Sequence, residues 1–178
     1  MHQINILGLN LELERGDIAS QDDIEAVVNA ANAQLKIGGG VAGAIHRAAG
    51  PGLTEETRPL APISPGEAVI TGGHNLPNDY VIHCLGPVYG RDKPEDELLA
   101  NCYKNALKLA EDKGIESVAF PAISTGAFGY PTEAAARVAL STVNEEAQHL
   151  SAVKTIRFVL FGEDAYKIHK QVMDEVFE

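Results

Sequence analysis

Two glycine-rich loops contain the residues of this chain whose types and spacing best suit chemistry. Gly38-Gly39-Gly40 leads into an alanine-rich stretch at residues 41–49, and Ser124-Thr125-Gly126-Ala127-Phe128-Gly129 leads into a second one at residues 132–140. Glycine lets the backbone turn sharply and approach a ligand, and unpaired amides at a helix start supply hydrogen-bond donors and a partial positive charge. Two such loops on one small domain indicate a site for a diphosphate.

The composition limits the class of protein. The chain has 178 residues, 45% of them hydrophobic, which fits one domain over residues 1–178 with a sizeable core. A net charge of −11 disfavours attraction to nucleic acid or to an anionic membrane, so neither is an expected partner. The N-terminus lacks a signal-peptide pattern and no run of about 20 apolar residues occurs, which predicts a soluble, cytoplasmic protein.

The hydrophobic pattern alternates between short strands and helices. Strands are predicted at residues 4–7, 11–13, 26–28, 68–71, 80–84, 117–120 and 155–161, and helices at residues 41–49, 95–112, 132–148 and 165–177. This alternation predicts an α/β fold with three layers, α/β/α, around a mixed, mostly parallel central sheet. The first two strands are expected to form an edge hairpin, and residues 58–65, with three prolines, a surface loop.

Ligands of open α/β sheets bind beyond the carboxyl ends of the strands, where both glycine loops are expected to lie. Asp17 follows the run at residues 11–15 and Phe161 ends the last predicted strand, so both are expected at the same edge. A carboxylate that accepts a hydrogen bond from an exocyclic amine, beside a ring that stacks, suits a purine. The alternative interpretations are that Asp17 only caps a turn and that Phe161 belongs to the core.

A dinucleotide-binding oxidoreductase is a distant alternative. The string Gly38-Gly39-Gly40-Val41-Ala42-Gly43 matches G-x-G-x-x-G. That fingerprint requires a turn directly after the strand, yet residues 29–37 intervene, and no acidic residue ends a clear second strand about 20 residues later. No P-loop motif is present.

Four motifs in register resemble the macro domain family. They are Gly16-Asp17-Ile18, Val28-Asn29-Ala30-Ala31-Asn32, Gly38-Gly39-Gly40-Val41-Ala42-Gly43-Ala44-Ile45-His46, and Pro121-Ala122-Ile123-Ser124-Thr125-Gly126 through Gly129-Tyr130-Pro131. The resemblance extends from about residue 16 to residue 161. It implies a macro-domain fold that binds ADP-ribose, often with hydrolase activity on ADP-ribosylated proteins, O-acetyl-ADP-ribose or ADP-ribose 1″-phosphate, and it implies no cofactor.

The resemblance also implies ligand-binding roles for individual residues. Asp17 and the Ile18 backbone would bind the adenine amine, and Phe161 would stack on the ring. Asn32 would bind the hydroxyls of the distal ribose. Residues of the two loops would surround the diphosphate and the distal ribose: Gly39, Gly40 and Val41 on one side, and Ser124, Thr125, Gly126, Ala127 and Phe128 on the other.

One departure from the family bears on chemistry. In a well-known hydrolytic branch an aspartate follows the Gly-Gly-Gly-Val segment, whereas this chain has Ala42, and Ile37 replaces a further glycine. A side-chain general base is therefore missing at that place. We predict that a substrate phosphate oxygen helps to deprotonate the attacking water, while the catalytic positions Asn32 and Gly40 orient the sugar. The alternative function is a reader that binds ADP-ribose without turnover.

The remaining polar candidates favour structural roles. His46 lies one turn inside a helix, where packing is more common than catalysis, and Asn29 is more typical of a strand contact than of a ligand contact. A metal site would require His74, His83, Cys84 and Cys102 to converge, but no ligand spacing indicates one. No metal is therefore expected, and both cysteines are expected to be reduced and structural.

Overall fold

A seven-stranded sheet forms the centre of the molecule. The computed structural model describes residues 1–178. Its strands are His2–Ile6 (β1), Leu9–Arg15 (β2), Ala26–Ala30 (β3), Ala68–Gly72 (β4), Tyr80–Cys84 (β5), Ser117–Phe120 (β6) and Thr155–Leu160 (β7). The strand order is β1-β2-β7-β6-β3-β5-β4, with antiparallel pairing only of β1 with β2 and of β4 with β5. The predicted mixed, mostly parallel sheet and its edge hairpin are confirmed.

Helices cover both faces of the sheet, as the three-layer prediction requires. They are Gly40–Ala49 (α1), Pro51–Thr57 (α2), Glu95–Asp112 (α3), Thr132–Glu146 (α4) and Glu163–Val176 (α5). Adjacent residues of β3 belong to different core clusters, since Val28 lies in the cluster that includes residues of α3, α4 and α5 while Val27 lies in the cluster that includes residues of α1 and α2. Strands buried on both faces explain why the central strands are continuous apolar runs. None of the helices combines the length and the apolar character needed to cross a bilayer.

Two local features differ from the sequence predictions. Helix α2 is not predicted, because Pro51, Gly52 and its threonines resemble a loop and only Leu53 is a fully buried apolar residue. Residues 58–65 are mostly exposed, as predicted, but the segment is anchored at Ile63. This side chain is 7% exposed, and its N–H donates to the Ala33 carbonyl at 3.0 Å. The proline-rich segment therefore supports the base of the first glycine loop.

A row of hydrogen-bonded, buried polar side chains crosses three strands of the sheet. His83 of β5 is fully buried between Asn29 of β3 and Thr71 of β4. Its Nδ1 lies 3.2 Å from Asn29 Nδ2, and its Nε2 lies 3.0 Å from Thr71 Oγ1. The neutral ring fits both contacts, because Nδ1 accepts from the amide while Nε2–H donates to the hydroxyl. The structural roles expected for Asn29 and His83 agree with this arrangement.

The neutral state of His83 predicts a pH-dependent stability. Burial lowers the pKa of His83 from 6.5 to about 3, whereas the unfolded chain protonates this group below pH 6.5. The unfolded state therefore binds more protons between these values, and the free energy of unfolding falls as the pH is lowered. We expect His83→Gln to reduce this slope by up to about 1.4 kcal/mol per pH unit between pH 6 and pH 5, measured by urea unfolding.

The exposed His149 provides the matched control for that measurement. We expect His149→Gln to leave the slope at its wild-type value. An unchanged slope in His83→Gln would show that His83 does not link folding to protons.

Candidate functional site

The candidate site lies where the carboxyl ends of the parallel strands meet. Along this edge the order is β2, β7, β6, β3 and β5. The chain leaves β3 towards α1 on one face of the sheet, and leaves the neighbouring β6 towards α4 on the other face. Connections that diverge from adjacent parallel strands open a crevice between them, which is where α/β sheets bind ligands.

The first loop, between β3 and α1, is braced by Asn32. The Asn32 Oδ1 accepts the Lys36 N–H at 3.0 Å, and Asn32 Nδ2 donates to the Lys36 carbonyl at 2.8 Å. Leu35, fully buried with a left-handed φ of 56°, turns the chain inside this brace, and its carbonyl accepts from the Thr57 hydroxyl at 2.9 Å. The half-buried Asn32 keeps one amide hydrogen and one lone pair for a ligand.

The glycines that follow present their backbone amides at the start of α1. Gly39 is the N-cap and Gly40, with φ of 55°, is the first helical residue. The N–H groups of Gly39, Gly40 and Val41 donate no hydrogen bond within the protein. Inside the helix, a Cβ on Gly43 would collide with the Gly38 carbonyl, so glycine is required there to hold the loop against α1.

The second loop, between β6 and α4, supplies a matching set of amides. Ser124 has a left-handed φ of 68°, and its carbonyl accepts from Tyr130 N–H at 2.9 Å, which closes the loop. The half-buried Thr125 donates its hydroxyl to the Ala122 carbonyl at 2.8 Å. The next residues make no hydrogen bond within the protein through their N–H groups: Gly126, Ala127 and Phe128.

Helix α4 begins at Thr132, as predicted, with Pro131 as its N-cap, and the second loop ends before this helix. The donors at residues 126–128 are therefore loop amides, and the α4 terminus does not present them.

Direct contacts connect the second loop to the elements around it. Phe128 packs against a buried cluster that includes Leu35 of the first loop. The Phe128 carbonyl accepts the Tyr89 N–H at 2.9 Å. A Cβ on the buried Gly86, in the segment after β5, would collide with Ser124 Oγ. The two loops therefore border one crevice, and the segment after β5 supports the second of them.

A carboxylate and an exposed ring lie together at the other end of the edge. The Gly16 N–H donates to the Leu160 carbonyl at 2.9 Å, which continues the pairing of β2 with β7 up to Asp17 and Phe161. Asp17 is exposed and Ile18 is 6% exposed. The Asp17 Oδ1 accepts the Ala19 N–H at 2.9 Å. The aspartate therefore caps a turn, as the alternative interpretation expected, and its other carboxylate oxygen stays available.

Phe161 is not a core residue. Its side chain is 94% exposed, so the alternative interpretation of Phe161 as ordinary core is wrong. An exposed aromatic ring beside a carboxylate can stack on a planar base.

Charge and spacing define what the site can bind. The loop amides provide donors for an anion at the centre of the edge, and Asp17 provides an acceptor at one end. From β2 to β3 there are three strand intervals of about 4.8 Å each, or roughly 14 Å. An elongated ligand with a planar base, a central diphosphate and a terminal sugar matches this order of groups.

The start of α1 offers no side-chain general base. Ala42 is 5% exposed and has no ionisable group, and Ile37 is 56% exposed at the rim. His46 is 3% exposed, its Nδ1 lies 3.2 Å from Thr54 Oγ1, and burial lowers its pKa. His46 therefore packs between α1 and α2, as the sequence interpretation favours. No group of three histidine, cysteine or acidic side chains is arranged to hold a metal ion.

Sequence reasoning missed two residues that shape the site, Leu35 and Gly86. Leu35 gives no signal, because a leucine in a left-handed turn is not expected from its residue type. Gly86 lies just after the apolar strand β5, separated from it by Leu85, and precedes Pro87, a pattern that indicates a close backbone approach.

Comparisons with known proteins agree with the geometry. A family model described as Macro domain matches residues 28–139. A macro domain-containing protein of Methanosarcina mazei is 47% identical over 177 residues, with 95% of this chain and 94% of that protein covered. The human ADP-ribose glycohydrolase MACROD2 is 49% identical over 170 residues, which cover 94% of this chain but 40% of MACROD2. A variant of the Oceanobacillus iheyensis macrodomain, solved with ADPR, superposes with a TM-score of 0.94 at 38% identity, covering 99% of this chain and 98% of that one.

Proposed function

Because the chain belongs to the macro domain family, we propose that it binds ADP-ribose in the crevice between its two glycine loops. The observation that carries this proposal is the pair of unpartnered amide sets, Gly39 to Val41 and Gly126 to Phe128. Donors that face one crevice without a protein acceptor suit the oxygens of a diphosphate. The structural neighbour solved with ADPR supports the same ligand.

The other groups of ADP-ribose lie along the carboxyl edge of the sheet, with the adenine at the β2 and β7 end and the distal ribose near β3. The adenine stacks on Phe161, and its exocyclic amine donates to Asp17 beside the Ile18 backbone. Ser124, whose Oγ is buried without a partner, and Thr125 hold the second loop around the phosphates. The distal ribose lies between Phe128 and the first loop, where Asn32 still has one donor and one acceptor free.

We further propose that the chain hydrolyses ADP-ribosyl esters on proteins or on metabolites such as O-acetyl-ADP-ribose. The name of MACROD2, an ADP-ribose glycohydrolase, supports this class of reaction. On a protein ester, water attacks the anomeric carbon of the distal ribose, the bond from that carbon to the ester oxygen breaks, and the side-chain carboxylate leaves. On O-acetyl-ADP-ribose, water attacks the acetyl carbonyl carbon, the bond from that carbon to the ribose oxygen breaks, and acetate and the ribose hydroxyl are the products. Because Ala42 supplies no base, a phosphate oxygen of the substrate takes the proton of the water, while Asn32 and the Gly40 amide fix the sugar.

A reader without turnover is the second candidate. The buried methyl group of Ala42 favours it, because a site without a side-chain base needs only to bind. In both cases the partners are ADP-ribose and molecules that carry it.

Calorimetry and product analysis test these proposals in sequence. Titration with ADP-ribose is expected to give tighter binding than titration with NAD, because the nicotinamide of NAD would meet the first loop and Phe128. The reverse order would favour a dehydrogenase. Mass spectrometry of an ADP-ribosylated acidic peptide then separates the two candidates, since a hydrolase releases ADP-ribose and a reader leaves the peptide intact.

A further inference from the structure

A buried guanidinium lies beneath the turn that carries Asp17. Arg157 of β7 is 5% exposed, although a buried charge has a large desolvation cost unless it is well paired. Its Nε donates to Glu12 Oε1 at 2.8 Å, and its Nη1 and Nη2 donate to the two carboxylate oxygens of Asp23 at 2.8 and 2.7 Å. Arg157 therefore joins β7 and β2 to the segment between the Asp17 turn and β3.

Gln21 connects this arginine to Asp17. The carboxamide of Gln21 is 4% exposed, and both of its ends are used. Its Oε1 accepts from Arg157 Nη1 at 2.8 Å, and its Nε2 donates to the Asp17 carbonyl at 2.9 Å. A single side chain thus transmits the position of the guanidinium to the backbone of Asp17.

The segment around Gln21 is also held independently of this side chain. The Nδ2 of Asn78 donates to the carbonyls of Gln21 and Ile24, each at 2.6 Å. The hydrogen bond from Gln21 Nε2 therefore adds little to the path of the segment. Its specific effect is on the Asp17 peptide, whose carbonyl also accepts the Ser20 N–H at 3.0 Å, and through this peptide on the carboxylate that accepts the Ala19 N–H.

We propose that Arg157 and Gln21 are positioning residues that aim the Asp17 carboxylate at the exocyclic amine of the base, an inference that rests on the proposed function. A hydrogen bond to a carboxylate weakens steeply when its angle or distance departs from the optimum. If the Asp17 turn shifts, the hydrogen bond to the amine is lost, whereas the contacts of the loop amides with the diphosphate remain. This relay, from Arg157 through Gln21 to the Asp17 backbone, accordingly determines base selectivity rather than overall affinity.

The test compares two ligands that differ only at the edge of the base that faces Asp17, where the exocyclic amine becomes a carbonyl oxygen and the adjacent ring nitrogen gains a hydrogen. ADP-ribose offers an amine on its base, whereas inosine diphosphate ribose offers a carbonyl oxygen at that position. We expect wild-type protein to bind ADP-ribose about tenfold or more tightly than the inosine ligand, because a charge-assisted hydrogen bond is replaced by repulsion. Each ligand is titrated by calorimetry at one pH and one salt concentration.

Gln21→Glu is the informative variant. A glutamate keeps the acceptor for Arg157 but has no donor for the Asp17 carbonyl. We expect the preference for ADP-ribose to fall to about threefold or less, because the loss of alignment weakens one hydrogen bond. The effect of the added charge on the shared diphosphate cancels in the ratio, and a neutral variant removes its effect on the base. Gln21→Met, which has a similar volume and no donor, is expected to reduce the preference for ADP-ribose to the same extent.

Asp22→Asn is the matched control. Asp22 follows Gln21 in the chain, is exposed and makes no hydrogen bond with Arg157 or Asp17, so we expect this variant to keep the wild-type preference. A wild-type preference in both folded Gln21 variants would overturn the relay while leaving ADP-ribose binding in place. Wild-type protein that binds neither ligand would instead overturn the proposed function. Wild-type protein that binds both equally would remove the role of Asp17, and the relay with it.

Discussion

Phe161→Ala is expected to weaken the binding of ADP-ribose by roughly tenfold to a hundredfold, since aromatic stacking on a base contributes on the order of 1–3 kcal/mol. The ring is 94% exposed, so its removal leaves no cavity in the core. We therefore expect the free energy of unfolding to stay within about 0.5 kcal/mol of wild type. Calorimetric titration and urea unfolding measure the two quantities on the same preparation.

Leu7→Ala provides the control for this result. Leu7 is another exposed apolar residue, 77% accessible, and it lies in the β1–β2 turn at the opposite edge of the sheet. We expect its replacement to leave ADP-ribose binding unchanged. Equal affinities for Phe161→Ala and wild type would mean that the base binds elsewhere.

Asn32→Ala is expected to slow the release of ADP-ribose from an acidic side chain by about a hundredfold, because the proposed hydrolysis depends on orientation of the sugar rather than on a side-chain base. The substitution removes the brace on Lys36 and, in the proposed complex, the contacts of Asn32 to the distal ribose. Single-turnover kinetics at saturating enzyme isolate the chemical step. The affinity for ADP-ribose is expected to fall less than the rate, since the diphosphate contacts remain.

Gln34→Ala separates the sugar contact from general disturbance of the loop. Gln34 is exposed in the same turn, and its side chain makes no hydrogen bond, so we expect wild-type turnover. A wild-type rate no faster than that of Asn32→Ala would eliminate the hydrolase and leave the reader.

The sequence predicts those parts of the fold that depend on local pattern. The bounds of β5, β6 and α3 agree with prediction, because each combines a clear hydrophobic period with polar or proline boundaries. Helix α2 escaped prediction, since a seven-residue helix with one fully buried leucine has almost no periodic signal. Short elements of this kind depend on tertiary packing rather than on propensity.

Part of the site was predictable because it, too, depends on local sequence pattern. Glycines after strands indicate backbone turns, and the parallel sheet brings such turns to one edge. The support of Asp17 was not predictable, because Arg157 and Gln21 are 136 positions apart and their pairing exists only in the folded sheet. The left-handed conformations of Leu35 and Ser124 also arise from closure of their loops rather than from residue type.

The central claim is that two sets of backbone amides bind a diphosphate without cationic side chains. An NMR titration of 15N-labelled protein with ADP-ribose tests it most directly, with Gly8 and Gly114, which precede β2 and β6 at the opposite edge, as internal references. We predict large downfield amide proton shifts for the unpartnered donors at residues 39–41 and 126–128, and unchanged signals for the references. Saturation with ADP-ribose that leaves those six amides unshifted would contradict the account.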